Sequence, residues 1–317
     1  ILSGPAASLS GAAFLAGSKS ALIADIGGTT TDIAFLQNGT PRLKKDGAFV
    51  GGWQTMIEAA DIRTFGLGGD SEVKPVLRGR TGGLVIGPRR AVPLSLMALD
   101  WPQIKNHLAT QLSLAVPMAT DARFVFPIFP NGIPQWLTRS EVRLAKKSLA
   151  SGPTPIAALA KTQLELGAVD RLISRGLLGL CSFTPTDAAH VTSRFNEFDT
   201  EAAMLGAQLL ARQRNGNGDD IAYTPAILAE MTLTELHRRS ALALMDAALA
   251  HEGGGEAAIS SNPILSNSFR AQTPYSNSLV SIGITLNTDL VALGASAPTH
   301  FPPVAEMMDI KLKVPNH

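Results

Sequence analysis

Apolar and polar positions fall into blocks that read as an α/β protein. Residues 20–26 and 31–36 are apolar, β-compatible runs, and "QNGT" at 37–40 carries the Asn-Gly signal of a tight hairpin leading to a third strand near 41–49. The expected product is a three-stranded antiparallel meander. Ahead of it, the small apolar residues 5–16, with no breaker after Pro5, predict a short helix that Gly17 ends. "DIRTFGLGGDSEVKPV", residues 61–76, predicts a strand, a loop holding Gly66, Gly68 and Gly69, and a further strand.

From about 101 to 185 the texture becomes helical. Thr138 and Glu141 have capping-box spacing, Gly152 closes that helix, and Thr154 with Pro155 starts another. "AVDRLISRGLLGLCSF" reads as a third helix, a stop at Gly176 and a strand. Three short helices and a strand suggest a small, mainly helical, winged-helix-like insert at 101–185 within a larger fold made of 1–100 and 186–317. Helices are expected again at 185–195, 199–213 and 232–251, and a loop over "HEGGGE" and 259–279. The closing "DLVALGASAPTHFPPVAEMMDIKLKVP" reads strand, glycine turn, helix, strand, a βαβ pattern.

Composition narrows the function classes. With 27 Lys and Arg against 26 Asp and Glu, the formal net charge is +1, so no global field favours nucleic acid or an anionic membrane. Any anion is therefore bound locally. Arg139, Arg143, Lys146, Lys147, Arg171 and Arg175 within the insert read as a solvated face, and nucleic acid is not an expected partner. No apolar stretch approaches the roughly 20 residues a membrane span needs. The single Cys181 excludes an internal disulfide and a cysteine-rich metal cluster, and in its apolar run it reads as packed rather than nucleophilic. A reducing compartment, by default the cytoplasm, fits. The chain lacks a signal-peptide pattern, does not begin with Met and opens on a patterned segment, so it is expected to be a fragment of something longer.

The chemistry concentrates in "DIGGTTTD". Gly27 and Gly28 let backbone amides approach an anion without a Cβ in the way, and Thr29, Thr30 and Thr31 add neutral donors. Asp25 and Asp32 would repel a bare phosphate, so they make sense with Mg²⁺ or another divalent metal, or its waters, between them and the ligand. A plain hairpin needs neither the threonines nor the paired carboxylates. "GLGGDSEV" offers a second close approach at Gly68 and Gly69, with Asp70 and Ser71 adding a carboxylate and a hydroxyl; a simple glycine-rich turn is the alternative. Asp32 and Asp70 are the candidate catalytic carboxylates. Asp187 and His190, three apart in "FTPTDAAHV", would share a helix face facing a solvent-filled cavity, the spacing of a metal-ligand pair. Thr184, Pro185 and Asp187 equally form a helix-start signature. His107, His237, His251, His300 and His317 have no partner spacing and read as surface or core residues.

"SGPAASLSGAAFLAG", "DIGGTTTDIAFL", "VGGWQTM", "DIRTFGLGGDSEV", "FTPTDAAHV" and "VALGASAPTHFPPVAE" resemble, in order, the hydantoinase/oxoprolinase family of ATP-dependent cyclic-amide hydrolases. The resemblance implies an actin-like ATPase fold, in which two ribonuclease-H-like domains clamp a nucleotide. It implies ATP as the phosphate ligand, Gly294 and Ala295 as the turn passing the adenosine, and a hydantoinase B-type subunit as partner. Family members carry an earlier phosphate turn in an N-terminal domain and continue past "VPNH". On that pattern the chain holds one wall of the clamp and is expected to be inactive alone. The implied reaction opens hydantoin, 5-oxoproline or a related cyclic amide after ATP phosphorylates the amide oxygen. A subunit of an ATP-dependent ketone carboxylase, or a non-metabolic nucleotide switch, are the alternatives; a small-molecule kinase would need a catalytic base that no residue supplies.

Overall fold

The computed structural model describes residues 11, 17, 20–38, 40–41, 43–44, 49–50, 53–54, 59–79, 82–129, 132–149, 152–253, 259–262, 265–266 and 285–315. The expected helix over 5–16, apart from Gly11, and most of the 259–279 loop lie outside these residues. The chain separates into two compact units, one formed by Ile1–Gly69 with Leu236–His317 and the other by Asp70–Glu235. Among the described residues no helix is long and apolar enough to cross a membrane.

The first unit is built on a six-stranded sheet, one strand of which is the two-residue Thr40–Pro41. Its other strands are β1 (Ala21–Ile26), β2 (Thr31–Gln37), β3 (Ile62–Phe65), β4 (Leu290–Leu293) and β5 (Leu312–Lys313). They lie in the order β5-β4-β1-β2-β3, with β5, β4 and β1 parallel and β2 antiparallel to both β1 and β3. This is the strand order of a ribonuclease-H-like fold, the half-unit of actin-like ATPases. The period-two pattern explains why the strands are apolar throughout. Leu22, Ala24, Ile26, Leu290 and Ala292 face one core with the helices Pro225–His251 and Ala297–Met308, while Ala21, Ile23, Ala34, Leu36, Val291 and Leu293 form a second cluster on the opposite face.

The meander differs from expectation in its third strand. The hairpin forms as read, with Gln37 paired to Thr40 and Asn38 at φ 54°. Among the described residues this pairing runs to Leu36↔Pro41, and residues 42 and 45–48 of the expected third strand lie outside the described residues. The rest of β2 is taken by β3, in register from Thr31↔Phe65 to Ala34↔Ile62.

The second unit reaches well outside 101–185. Its four-stranded sheet joins Val92–Pro93, Leu178–Ser182, Phe124–Pro127 and Thr154–Pro155 in that order. The helices Gln103–Ser113 and Pro185–Val191 both pack on Thr200–Ala211. The Thr138–Glu141 capping box is present, and Gly152 and Gly176 both take φ 70° where the helices end. Several expected solvent-facing cations are paired: Arg171 and Arg175 both bond the buried Glu141, and Arg143 bonds Glu165. The last long helix starts at Pro225, earlier than its periodicity suggests.

Candidate functional site

The first unit brings most of the expected residues to one end of its sheet. β1 ends in Asp25 and Ile26, the turn Gly27–Thr30 closes on a Gly27 N–H to Thr30 carbonyl bond of 2.8 Å, and β2 returns with Thr31 and Asp32. Gly27 and Gly28 are exposed, with Thr29 and Thr30 half-buried. Thr31 differs from its expected role: its buried hydroxyl donates to the Leu67 carbonyl at 2.8 Å, tying the turn to the second glycine loop rather than facing a ligand.

That loop lies against the turn. A Cβ on Gly68 would sit 2.5 Å from the Gly27 carbonyl oxygen and 2.6 Å from that of Gly28, and the Gly69 N–H reaches the Gly27 carbonyl at 3.4 Å. Gly294 follows β4, parallel to β1, and takes φ 102°, a conformation favouring glycine. A Cβ there would collide with the Ile26 carbonyl and come 3.2 Å from Asp25 Oδ1. Three backbone segments thus converge at the carboxyl ends of parallel strands, where open α/β sheets place their ligands. Ala295 is exposed beside them.

Asp25 and Asp32 stand directly opposite each other on β1 and β2. Burial, and then the neighbouring Asp32 charge, lift the Asp25 carboxyl above its ordinary range. Like charges at a cross-strand pair destabilise a sheet, so this arrangement is not a folding device. Asp32→Asn is accordingly expected to stabilise the protein by about 0.2–1 kcal/mol near neutral pH. Because the folded Asp25 titrates above its unfolded value, its stabilising contribution is complete below the unfolded value and is lost as pH rises through the folded one. Asp32→Asn should flatten that loss. Urea unfolding of both proteins over pH 4–8 checks it; identical midpoints and slopes would remove the repulsion from the account.

Asp70 belongs to the other compact unit. It is half-buried; burial raises its carboxyl while Arg90, 3.7 Å away, opposes that shift. Ser71 is buried.

Asp187 and His190 do share the helix Pro185–Val191, but both are fully buried and neither meets a solvent-filled cavity. Asp187 completes a capping box with Thr184 and also accepts the backbone N–H groups of Ser95 at 2.8 Å and Leu94 at 3.1 Å. His190 Nε2 accepts the Phe198 N–H at 3.0 Å, which leaves the ring proton on Nδ1 to donate to the Thr186 carbonyl at 2.8 Å. The ring stacks on Phe198 with Phe195 at its edge. The metal assignment of this pair is corrected to the helix-start reading: Asp187 accepts three backbone N–H groups and the Thr184 hydroxyl, and both ring nitrogens of His190 bond backbone. Among the described residues no group of three or more His, Cys, Asp or Glu side chains is arranged to hold a metal. Cys181 is buried, and burial followed by the Asp187 charge raises its thiol well above the usual range, as expected of a packed cysteine.

Sequence reading missed Thr64. Its hydroxyl donates to Asp32 Oδ1 at 2.6 Å. Only the β2–β3 register, which places Thr64 opposite Asp32, reveals it.

A ribonuclease-H-like sheet with a glycine-lined turn and paired carboxylates at its carboxyl end defines the class of fold. The resemblance to hydantoinase/oxoprolinase proteins holds over residues 1–96, which match that family's model. The matched stretch contains β1, the turn, β2, β3 and the second glycine loop. No curated protein matches the chain. Among solved structures, a nucleotide-free acetone carboxylase, described for the mechanism of ATP-dependent acetone carboxylation, is similar with a TM-score of 0.46 and 12% identity. That similarity covers 96% of this chain but only 28% of the other.

Proposed function

We propose that this chain supplies a nucleotide-phosphate wall of an ATP-dependent enzyme of the hydantoinase/oxoprolinase type, opening the ring of a cyclic amide such as hydantoin or 5-oxoproline. The observation that carries the reading is the convergence of Gly27, Gly68 and Gly294 around two opposed carboxylates. Gly68 and Gly294 each lack the Cβ that would prevent the approach. The fit to a magnesium nucleotide is chemical. Exposed backbone at Gly27 and Gly28 suits phosphate oxygens, and Asp25 with Asp32 suits a hydrated divalent cation, which would also offset their mutual repulsion. ATP supplies the phosphoryl group that activates the amide oxygen.

In this reading the exposed Gly28 backbone and the Thr29 and Thr30 side chains receive phosphate, Gly27 shapes the turn through its bond to Thr30, and the buried Gly68 and Gly69 support the turn from behind. Gly294 and Ala295 pass the adenosine, and Asp25 and Asp32 orient the cation's waters. Asp70 belongs to the other compact unit and is not part of this set. Phosphoryl transfer asks the protein chiefly for positioning and neutralisation, which this set can provide. A hydantoinase B-type subunit would complete the ring-opening chemistry.

The test is steady-state ADP release by the complete protein with its partner subunit, with hydantoin, 5-oxoproline, related lactams, or acetone plus bicarbonate. Gly28→Val serves as the site control and is expected to abolish release. Stimulation by one cyclic amide, with matching ring-opened product, supports the reading. Stimulation by the ketone alone would reassign the chain to carboxylation. Nucleotide binding with no substrate response would make it a switch.

A further inference from the structure

We propose that Thr64 is a positioning residue for the nucleotide's divalent cation, holding Asp32 away from Asp25 so that a hydrated ion fits between the two carboxylates. The inference rests on the nucleotide reading of this site. Its own observations are the register and one hydrogen bond. Asp25, Asp32 and Thr64 are successive cross-strand partners on β1, β2 and β3, so their side chains project in a row from one sheet face. β2 lies between the other two strands, so a bond from Thr64 draws the Asp32 carboxylate toward β3 and away from Asp25. At 2.6 Å from hydroxyl to charged carboxylate oxygen it is a short, charge-assisted contact.

Stability alone does not explain this bond. Thr64 is exposed, and its hydroxyl could bond water at no desolvation cost. Fixing the Asp32 rotamer does have a use beside a second carboxylate. A free Asp32 would swing among rotamers under repulsion from Asp25, and each binding event would have to order it again. With Oδ1 held by Thr64, Oδ2 is the oxygen left to meet the cation's water shell. The partners that orient carboxylates at metal sites characteristically contribute about 10–100-fold to metal affinity.

The experiment measures ADP affinity in the complete protein by calorimetry, with Mg²⁺ titrated from chelator-buffered zero to saturation. Wild type, Thr64→Val and Thr64→Ser are compared, with thermal unfolding of each as a folding control. Valine keeps the shape and the β propensity of threonine and removes only the hydroxyl. Thr64→Val is expected to raise the Mg²⁺ concentration for half-maximal effect about 10-fold while leaving Mg²⁺-free ADP affinity unchanged, and Thr64→Ser to stay within about twofold of wild type. A valine variant with the wild-type Mg²⁺ response overturns this inference and leaves the nucleotide site standing. Equal loss of ADP affinity with and without Mg²⁺ also overturns it, since the hydroxyl would then shape the turn and not the cation. A wild-type protein that binds no nucleotide at any Mg²⁺ concentration overturns both this inference and the reading beneath it.

Discussion

Asp187→Asn is expected to lower the unfolding free energy by about 2–4 kcal/mol, well above the roughly 1 kcal/mol typical of losing a single helix cap. One carboxylate serves two helix starts. Oδ2 accepts the N–H of Thr184 at 3.0 Å and of Leu94 at 3.1 Å, while Oδ1 accepts the N–H of Ser95 at 2.8 Å. An asparagine has one acceptor oxygen, so whichever way its amide turns, an NH₂ group faces at least one buried backbone donor. Each donor left unmet costs about 1–3 kcal/mol. Burial lifts the Asp187 carboxyl above its ordinary range, against hydrogen bonds from Ser95, Leu94 and Thr184 that pull it down. Denaturant unfolding of both proteins near neutral pH measures the effect. A variant within about 0.5 kcal/mol of wild type would show that the helix starts at Leu94 and Pro185 do not depend on the carboxylate.

The second large effect is expected at Gly294→Ala. Two costs coincide there, a positive φ of 102° and a Cβ driven into the Ile26 carbonyl. The strain of such a backbone in a residue other than glycine is about 1–3 kcal/mol. The collision adds to it and has no soft partner, because Ile26 O is main chain at the end of β1. Relief requires the ends of β1 and β4 to part, and Asp25 and the turn at Gly27–Thr30 move with β1. A displacement near 1 Å in positioned groups costs on the order of 100-fold in function, and nucleotide affinity is expected to fall by about that factor. Gly218→Ala separates the two causes. Gly218 also has a positive φ, of 88°, but its Cβ would meet nothing within 4 Å, so it should lose stability with little change in nucleotide affinity. Equal losses in the two variants would mean that strain, not the close approach, governs Gly294.

Local structure was legible in the sequence where a short-range rule decides it. Asn38 marked the hairpin, Thr138 with Glu141 marked a helix start, and Gly152 and Gly176 marked stops, because each acts on neighbours within a few residues. The turn between Asp25 and Asp32 was legible for the same reason. What depends on register or on distant strands was not. That β3 runs along most of β2 follows from a partner strand distant in sequence, which no short-range rule nominates. That placement also brings Thr64 to Asp32. Asp187 admitted two readings, helix cap and metal or substrate contact, because its i, i+3 spacing to His190 is shared by ligands and by residues braced inside one helix, and the capping box is the one that forms. The bonds to Leu94 and Ser95 that decide the matter lie far away in sequence.

The pairing of β1 with β4 has a consequence for synthesis. Leu22 finds its parallel neighbour at Leu290, so the central strand of the first sheet, already joined to β2 on one side, must wait for most of the chain before its other edge is covered. At about 5–20 residues per second, translation leaves that apolar edge unpaired for tens of seconds. During that time it is a template for any other nascent β-edge, so production of this protein should respond to chaperone supply and slower initiation more than to changes in its surface residues.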